Sequence, residues 1–420
     1  MAPYFEQTRE SHEIVIVYTR RNAVRIRRRL HRRAAGCGGG SGGTVASDAG
    51  KSLACVAQQP GASAAELKAC SGDLKGKIDA VMTSFMAANG ITAATVAVAQ
   101  DGVMLAERGY GHRDIARQIP LPADAMFDTA SIVKPVTAAA IQKLARERKL
   151  ALTDHVFCTG QNAPCWLARE LLPAAPDARV AGITIQHLLD HQGGWDQDIS
   201  SDPQFIEPEI RQSLGLSAPP QRDDVIRFVM RRPLDFAPGT RTSYANFAYL
   251  LLGQVIEKAS GSGYVQYVQD NIMVPLGIPK SDFEDMRSLR RDPHPREPNY
   301  ITTWTGPSVY EPGTTVLAFD GAVRVENWAA AGSVLSTAKA MTLFAAHYRI
   351  QDGVPLAGAK NNGGHGGADP GVATMLRQLP SGTSYTVMMN KLDEGNPSGD
   401  ASYQMQILHR IEAVLKDAGL

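Results

Sequence analysis

The stretch Phe127–Ala145, FDTASIVKPVTAAAIQKLA, holds the pattern on which the fold is read. Pro135 lacks an N–H and is tolerated only near a helix start, so the spacing predicts a helix that opens close to Ser131. Ser131 and Lys134 are three residues apart and therefore neighbours on one helical face. At such a start the Ser131 N–H has no intrahelical partner and points at incoming negative charge. A serine hydroxyl is a poor nucleophile until a base takes its proton. Lysine can be that base when burial lowers its pKa by several units, and Ile132, Val133 and the following VTAAAI are the apolar surroundings for it. Taken alone, Ser-x-x-Lys occurs often by chance, and a solvated lysine on a helix is the ordinary reading.

Two further segments extend the pattern. In FAPGTRTSYANFAYLLLGQVIEKASG, residues 236–261, a Pro-Gly turn leads to Tyr244 and Asn246 at the junction with an apolar helix. A phenol near a lysine ammonium loses its proton more easily, so Tyr244 can relay a proton while the Asn246 amide orients Lys134 or the substrate. In NNGGHGGADPGVATMLRQL, residues 361–379, His365-Gly366-Gly367 enters a strand. Glycines let a ligand approach the backbone. The Ala368 N–H can then pair with the Ser131 N–H around a developing oxyanion. Each segment also has a plain reading, a helix N-terminus for one and a glycine-rich turn for the other.

Together the three are far more specific. Ser-x-x-Lys, Tyr-x-Asn about 110 residues on and His-x-Gly about 120 beyond that resemble the serine β-lactamase and DD-peptidase superfamily from about Asp73 to Leu420. ITIQHLLDHQGGW (183–195), PLGIP (275–279) and AAAGSVLSTAKAMTLFAA (329–346) resemble its class C and family VIII esterase branch. The resemblance implies Ser131 as nucleophile, Lys134 and Tyr244 as general base and acid, and Asn246 as a positioning group. It implies oxyanion N–H groups from Ser131 and Ala368, a mixed α/β fold, and no metal or organic cofactor. One departure matters. Class C β-lactamases carry Lys-Thr-Gly where this chain has His365-Gly366-Gly367. A histidine near its ordinary pKa of about 6.5 is mostly neutral at pH 7 and partly charged toward pH 6. Carboxylate recognition is then weaker and neutral esters are favoured, with open space expected at Gly366 beside Ser131. Some DD-peptidases also have His at this place.

Outward from these motifs, both chain ends read as strands. TVAVAQDGVMLAERGYG (95–111) turns at Asp101-Gly102, and GVATMLRQL and SYTVMMN flank Pro380-Ser381-Gly382. Helical faces precede and follow, with Leu74, Ile78, Val81, Met82 and Phe85 on one and Tyr403, Ile407, Ile411 and Val414 on the other. The expected architecture is one antiparallel sheet built from both ends, flanked by helices, with a mainly helical insertion at about 135–330. The catalytic domain is expected over 73–420, after a leader and flexible linker over 1–72.

Apolar residues at 44% and charged ones at 20% suit a globular protein with a sizeable core. The net charge of +1 excludes no class but gives no reason to expect nucleic acid. The charge is uneven, because residues 1–33 carry nine Arg and three Glu, which is read as an unstructured leader. AAGCGGGSGG (34–43), in which Cys37 ends AAGC before a Gly/Ser tether, looks like a lipid-attachment box, although the preceding RRNAVRIRRRLHRR lacks the apolar region of an export signal. A damaged export signal, a periplasmic or lipid-anchored location and a membrane tether through Cys37 are the expectations. Cys55 with Cys70 and Cys158 with Cys165 suit two short-loop disulfides.

Two motifs are set aside. GGSGG at 39–43 matches a nucleophile elbow around Ser41 but lies in a low-complexity tether. His187 and His191, four apart, lack an HExxH glutamate between them and are read as structural. Three functions remain: an esterase acting through an acyl-enzyme on Ser131, a D-amino-acid peptidase or β-lactamase of the same mechanism, or a sensor that does not turn over. The partner is a small ester or amide substrate.

Overall fold

In the computed structural model, which describes residues 3–7, 14–18, 71–160, 163–289 and 293–420, the first long helix, α1, spans Ser71–Asn89. Leu74, Ile78, Met82 and Phe85 are buried along its inner face, the stripe expected of a 3.6-residue repeat. Strands β1 (Ala93–Gln100) and β2 (Val103–Asp114) follow. Asp101 and Gly102 join them with φ of 47° and 81°, the left-handed pair that a type I′ hairpin turn requires. Ile119–Pro120 forms β3 and Met126–Asp128 forms β4.

The C-terminal part supplies β7 (Gly363–Asp369), β8 (Val372–Gln378) and β9 (Thr383–Met389). The main sheet has six antiparallel strands in the order β7-β8-β9-β1-β2-β3, so the two ends of the region 73–420 meet where Val387 of β9 pairs with Val96 of β1. All eight residues of β1 are buried because both faces of the sheet are covered. Ala94, Val96 and Val98 pack with α1 and with α5 (Tyr403–Asp417), whose Ile407, Ile411 and Leu415 are buried. Ala93 and Ala97 belong to the opposite face and the larger core. There α4 (Ala338–His347) lies on the sheet, and its Thr342 hydroxyl bonds Thr386 Oγ1 at 2.8 Å.

Between these parts, α2 (Lys134–Arg146) and α3 (Asn246–Ser260) share the larger core. The insertion is less purely helical than its sequence suggests. Phe283–Asp285 (β5) pairs with Val334–Thr337 (β6), which also pairs with β4, forming a three-stranded sheet with β6 central. His155–Phe157 pairs with Cys165–Leu167, and Thr305–Pro307 with Thr315–Leu317. Strands of three residues are too short for a period of two to show in a sequence. Within residues 1–33, read from the sequence as an unstructured leader, Pro3–Gln7 and Ile14–Tyr18 pair antiparallel, in keeping with the strand preference of the β-branched IVIVY run. Cys158 and Cys165 are bridged. Cys37, Cys55 and Cys70 lie outside the described residues. No helix among the described residues is long and apolar enough to cross a membrane.

One buried acid knits the insertion together. Glu207 accepts the Arg324 N–H, Asn327 Nδ2 at 2.8 Å and Trp328 Nε1 at 3.1 Å, all far along the chain. Glu207→Ala leaves the Arg324 N–H and Trp328 Nε1 without this acceptor and Asn327 Nδ2 with the Pro220 carbonyl alone, each lost bond costing on the order of 1–3 kcal/mol. Chemical denaturation is expected to show a loss of about 3 kcal/mol or more, and a loss below about 1 kcal/mol would mean that water replaces the carboxylate.

Candidate active site

The chain enters the site through β4, passes into a 3-10 turn at Ala130–Val133 and continues as α2, with Pro135 in its first turn. Ala130, just before Ser131, is buried and held at a φ of +46°, a left-handed conformation costing a non-glycine residue about 1–2 kcal/mol. Its surroundings hold it there. Asp128 Oδ1 accepts the Ala130 N–H at 3.0 Å, Thr129 Oγ1 donates to Val334 O at 3.0 Å, and Thr374 Oγ1 donates to Thr129 O at 2.8 Å. A Cβ at Gly367 would lie 2.1 Å from Thr374 Oγ1 and 2.8 Å from Thr129 O. Glycine at 367 is what lets β7 lie against the segment that carries Ser131.

Four of the residues marked in the sequence meet here. Tyr244 OH lies 2.7 Å from Ser131 Oγ, and Lys134 Nζ lies 3.0 Å from the same oxygen. Lys134 Nζ also donates to Asn246 Oδ1 at 2.7 Å and to the Ala331 carbonyl. Tyr244 stands in the loop before α3 and Asn246 is the first residue of that helix. Lys134 is buried, which lowers its pKa to about 7 against the opposing pull of Asp369 and Asp202. A neutral lysine amine has two protons and one lone pair. With Asn246 Oδ1 and Ala331 O taking the protons, the lone pair is left for Ser131 Oγ. The arrangement can therefore take the serine proton and pass one through the Tyr244 hydroxyl.

Alternation along β7 separates the third motif. Asp369 and Val372 close a two-residue turn and pair with one another, so Asp369, Gly367 and His365 bond to β8 while Gly366 and Ala368 turn their N–H groups toward the sheet edge. That is the direction an oxyanion donor at Ala368 needs. Ala368 itself packs in the cluster with α1 and α5, and Gly366 is on the same face. Space beside Ser131 is thus not created at Gly366, because the strand alternation directs that position away, toward the covered face.

His365 differs from expectation as well. It is buried, and burial together with the Lys134 charge lowers its pKa to about 3, so it does not become partly charged near pH 6. Its Nδ1 lies 2.8 Å from the Gly366 carbonyl, which accepts only, so the proton is on Nδ1 and Nε2 keeps its lone pair. A neutral imidazole takes the place where class C enzymes have a fixed ammonium.

Sequence reasoning missed three contributors. Asp202 accepts Asn246 Nδ2 at 2.7 Å. Asp369, buried at the end of β7, has its carboxyl pKa pushed up by burial and pulled back by the Lys134 charge. His191, read as structural, does accept the Ala245 N–H at 3.2 Å, yet its ring also lies 4.5 Å from the Tyr244 ring. The LLDHQGGW segment carries no periodic signal of that stacking. Beside Lys134 a cavity of about 220 Å³ is lined by Leu189, His191, Tyr244, Tyr249, Ile350 and His365, among others. Its wall is part apolar and part hydrogen-bonding.

A mixed α/β fold with a terminal-strand sheet, a helical region and a buried Ser-x-x-Lys at their junction is the arrangement of the β-lactamase and transpeptidase class. The chain matches the family described as Beta-lactamase over residues 78–396, and it belongs to that family. Among curated proteins it is similar to Esterase EstB of Burkholderia gladioli, 30% identical over 209 residues that make up 50% of this chain and 51% of EstB. It is also similar to Protein flp of Staphylococcus aureus (strain MW2), 26% identical over 214 residues, 51% of this chain and 39% of flp. The chain thus spans about half or less of the length of these relatives. Among solved structures, D-amino acid amidase from Ochrobactrum anthropi SV3 complexed with L-phenylalanine amide has a TM-score of 0.59 at 17% identity, covering 83% of this chain and all of that one (100%). EstCE1, a hydrolase with promiscuous acyltransferase activity, has a TM-score of 0.58 at 17% identity, with 82% and 98% covered. At these identities the two structures share the fold.

Proposed function

We propose that this serine hydrolase cleaves neutral carboxylic esters through an acyl-enzyme on Ser131. The observation that carries the reading is His365, a buried neutral group where class C enzymes hold a substrate carboxylate with a lysine. Asp202 and Asp369, both acidic and near Lys134, add no attraction for an anionic substrate. Ser131 Oγ attacks the ester carbonyl carbon while its proton passes to the Lys134–Tyr244 pair, and the N–H groups of Ser131 and Ala368 receive the negative oxygen. Collapse expels the alcohol, which takes the proton back from Tyr244. Water then repeats the sequence on the acyl-enzyme, and the acid is released. The similarity to EstB supports an ester as substrate. The Cys158–Cys165 bridge supports an oxidising compartment and, with it, export.

The substrate preference can be measured directly. A charge-assisted contact to a carboxylate contributes about 1.5–3 kcal/mol, or one to two decades in rate. The kcat/KM for p-nitrophenyl butyrate is therefore expected to exceed that for nitrocefin, which bears a carboxylate, by at least ten-fold. Because His365 stays neutral, the ratio should hold between pH 8 and pH 6. Nitrocefin turnover as fast as the ester would replace this reading with a β-lactamase, and a single stoichiometric acylation without turnover would replace it with a sensor.

A further inference from the structure

Nothing within Asn246 itself determines which end of its amide faces Lys134. An amide has one end that accepts and one that donates, and the two are nearly the same size. Presented nitrogen-first, Asn246 would donate into the Lys134 lone pair and draw it away from Ser131. Presented oxygen-first, it takes a lysine proton and leaves the lone pair for the serine.

The far end of the same amide settles the matter. Asn246 Nδ2 lies 2.7 Å from Asp202 Oδ2, and the other oxygen of Asp202 accepts the Gln204 N–H at 3.0 Å. Asp202 is 3% exposed and caps the short turn Pro203–Phe205. Burial raises its carboxyl pKa, while the N–H donors of Gln204 and Asn246 and the Lys134 charge pull it back. A carboxylate offers only acceptors, so an amide oxygen turned toward it would meet repulsion. Only the nitrogen end of Asn246 can face it.

We infer that Asp202 is a positioning residue for the base, holding Asn246 oxygen-first toward Lys134 and thereby aiming the Lys134 lone pair at Ser131. The inference rests on the acyl-enzyme reading above and deepens it. The chain of contacts is Gln204 N–H, Asp202, Asn246, Lys134, Ser131, with every side chain in it buried. No atom of Asp202 need touch the substrate.

Asp202→Asn is the informative change, because it is nearly isosteric and its Oδ1 can still accept the Gln204 N–H. Its Nδ2 now faces Asn246 and demands the oxygen end, which turns the wrong end of Asn246 to Lys134. The expected result is an unchanged melting temperature, KM within about two-fold, and kcat for p-nitrophenyl butyrate lower by about ten- to hundred-fold, as when comparable orienting partners are lost. The double variant Asp202→Asn, Asn246→Asp restores the polarity. Asp at 246 offers Lys134 an acceptor and receives the Asn amide from 202. It should be at least five-fold faster than Asp202→Asn alone.

The pH profile adds a readout that a structural role would not move. Lys134 faces Asp202, Asp369, His191, His365, Tyr244 and Tyr249. Removing the Asp202 charge lowers the Lys134 pKa, so the acid limb of the profile should shift to lower pH in the single variant. In the double variant the carboxylate is nearer, and the limb should shift to higher pH. A single variant with kcat within two-fold of the parent, or a double variant no faster than the single, overturns the assignment. The rate at which a fluorophosphonate labels Ser131 separates the two levels of the argument. Failure of the parent to be labelled or to turn over esters would remove the acyl-enzyme reading, whereas normal labelling of Asp202→Asn would remove only the role of Asp202.

Discussion

Ser131→Ala is expected to abolish ester turnover, with kcat/KM for p-nitrophenyl butyrate lower by about four orders of magnitude or more. The hydroxyl is the atom on which the site converges. Tyr244 OH is 2.7 Å from it and Lys134 Nζ 3.0 Å, and the side chain sits at the start of a helical segment, where N–H groups lack internal partners. Removing one oxygen leaves the fold intact, since Ser131 Oγ bonds only within this cluster among the contacts described. A fluorophosphonate should label the parent and not the variant. Parent-like activity in Ser131→Ala would sink the mechanism entirely, because no other serine among the described residues shares both Lys134 and Tyr244.

The second large effect is a failure of additivity. Lys134→Ala and Tyr244→Phe should each lower kcat by about two to four orders of magnitude while KM moves little, the range of a positioned proton-transfer group. The double variant should be only slightly worse than the poorer single one, because residues that act as a unit cannot be lost twice. Independent, multiplying losses would mean that the lysine and tyrosine serve separate steps. The pH dependence follows from the sign of the lysine shift. Burial lowers the Lys134 pKa to about 7, so the amine is neutral and able to accept a proton above that value and charged below it. Activity should rise with pH through about 7. An acid limb near pH 4 or near pH 10 would point to a different group.

Much of this protein was legible before any coordinates. The stripes Leu74–Phe85 and Tyr403–Ile411 and the Asp101-Gly102 turn are local signals, since helix period and turn chemistry depend on neighbours in the chain. Ser131 and Lys134 lie one turn apart on the same segment, and their adjacency is dictated by helix geometry. Tyr244 and Asn246 were marked only through their combination with distant motifs, and the structure brings them within bonding distance of Ser131 and Lys134.

Other features depend on groups that meet only after folding. The three-residue strands of the insertion are stabilised by pairing across long separations, as where Phe283 of β5 meets Ser336 of β6. Gly366 and Gly367 are adjacent in the motif, yet the alternation of one edge strand directs 367 at the nucleophile segment and 366 at the opposite face. Asp202 is 44 residues from Asn246 and belongs to no motif; its place in the site follows from how one capped turn packs against the start of α3. By itself the sequence determined the sheet from two chain ends, the helix faces and the serine–lysine pair, because period and spacing act over one or two turns of chain. Only the tertiary structure decided that Lys134 is buried enough for its pKa to fall to about 7, that His365 is neutral, and that Asn246 presents its oxygen to Lys134. Burial and the direction of a hydrogen bond are set by every group that packs around a side chain, and those groups come from all parts of the chain.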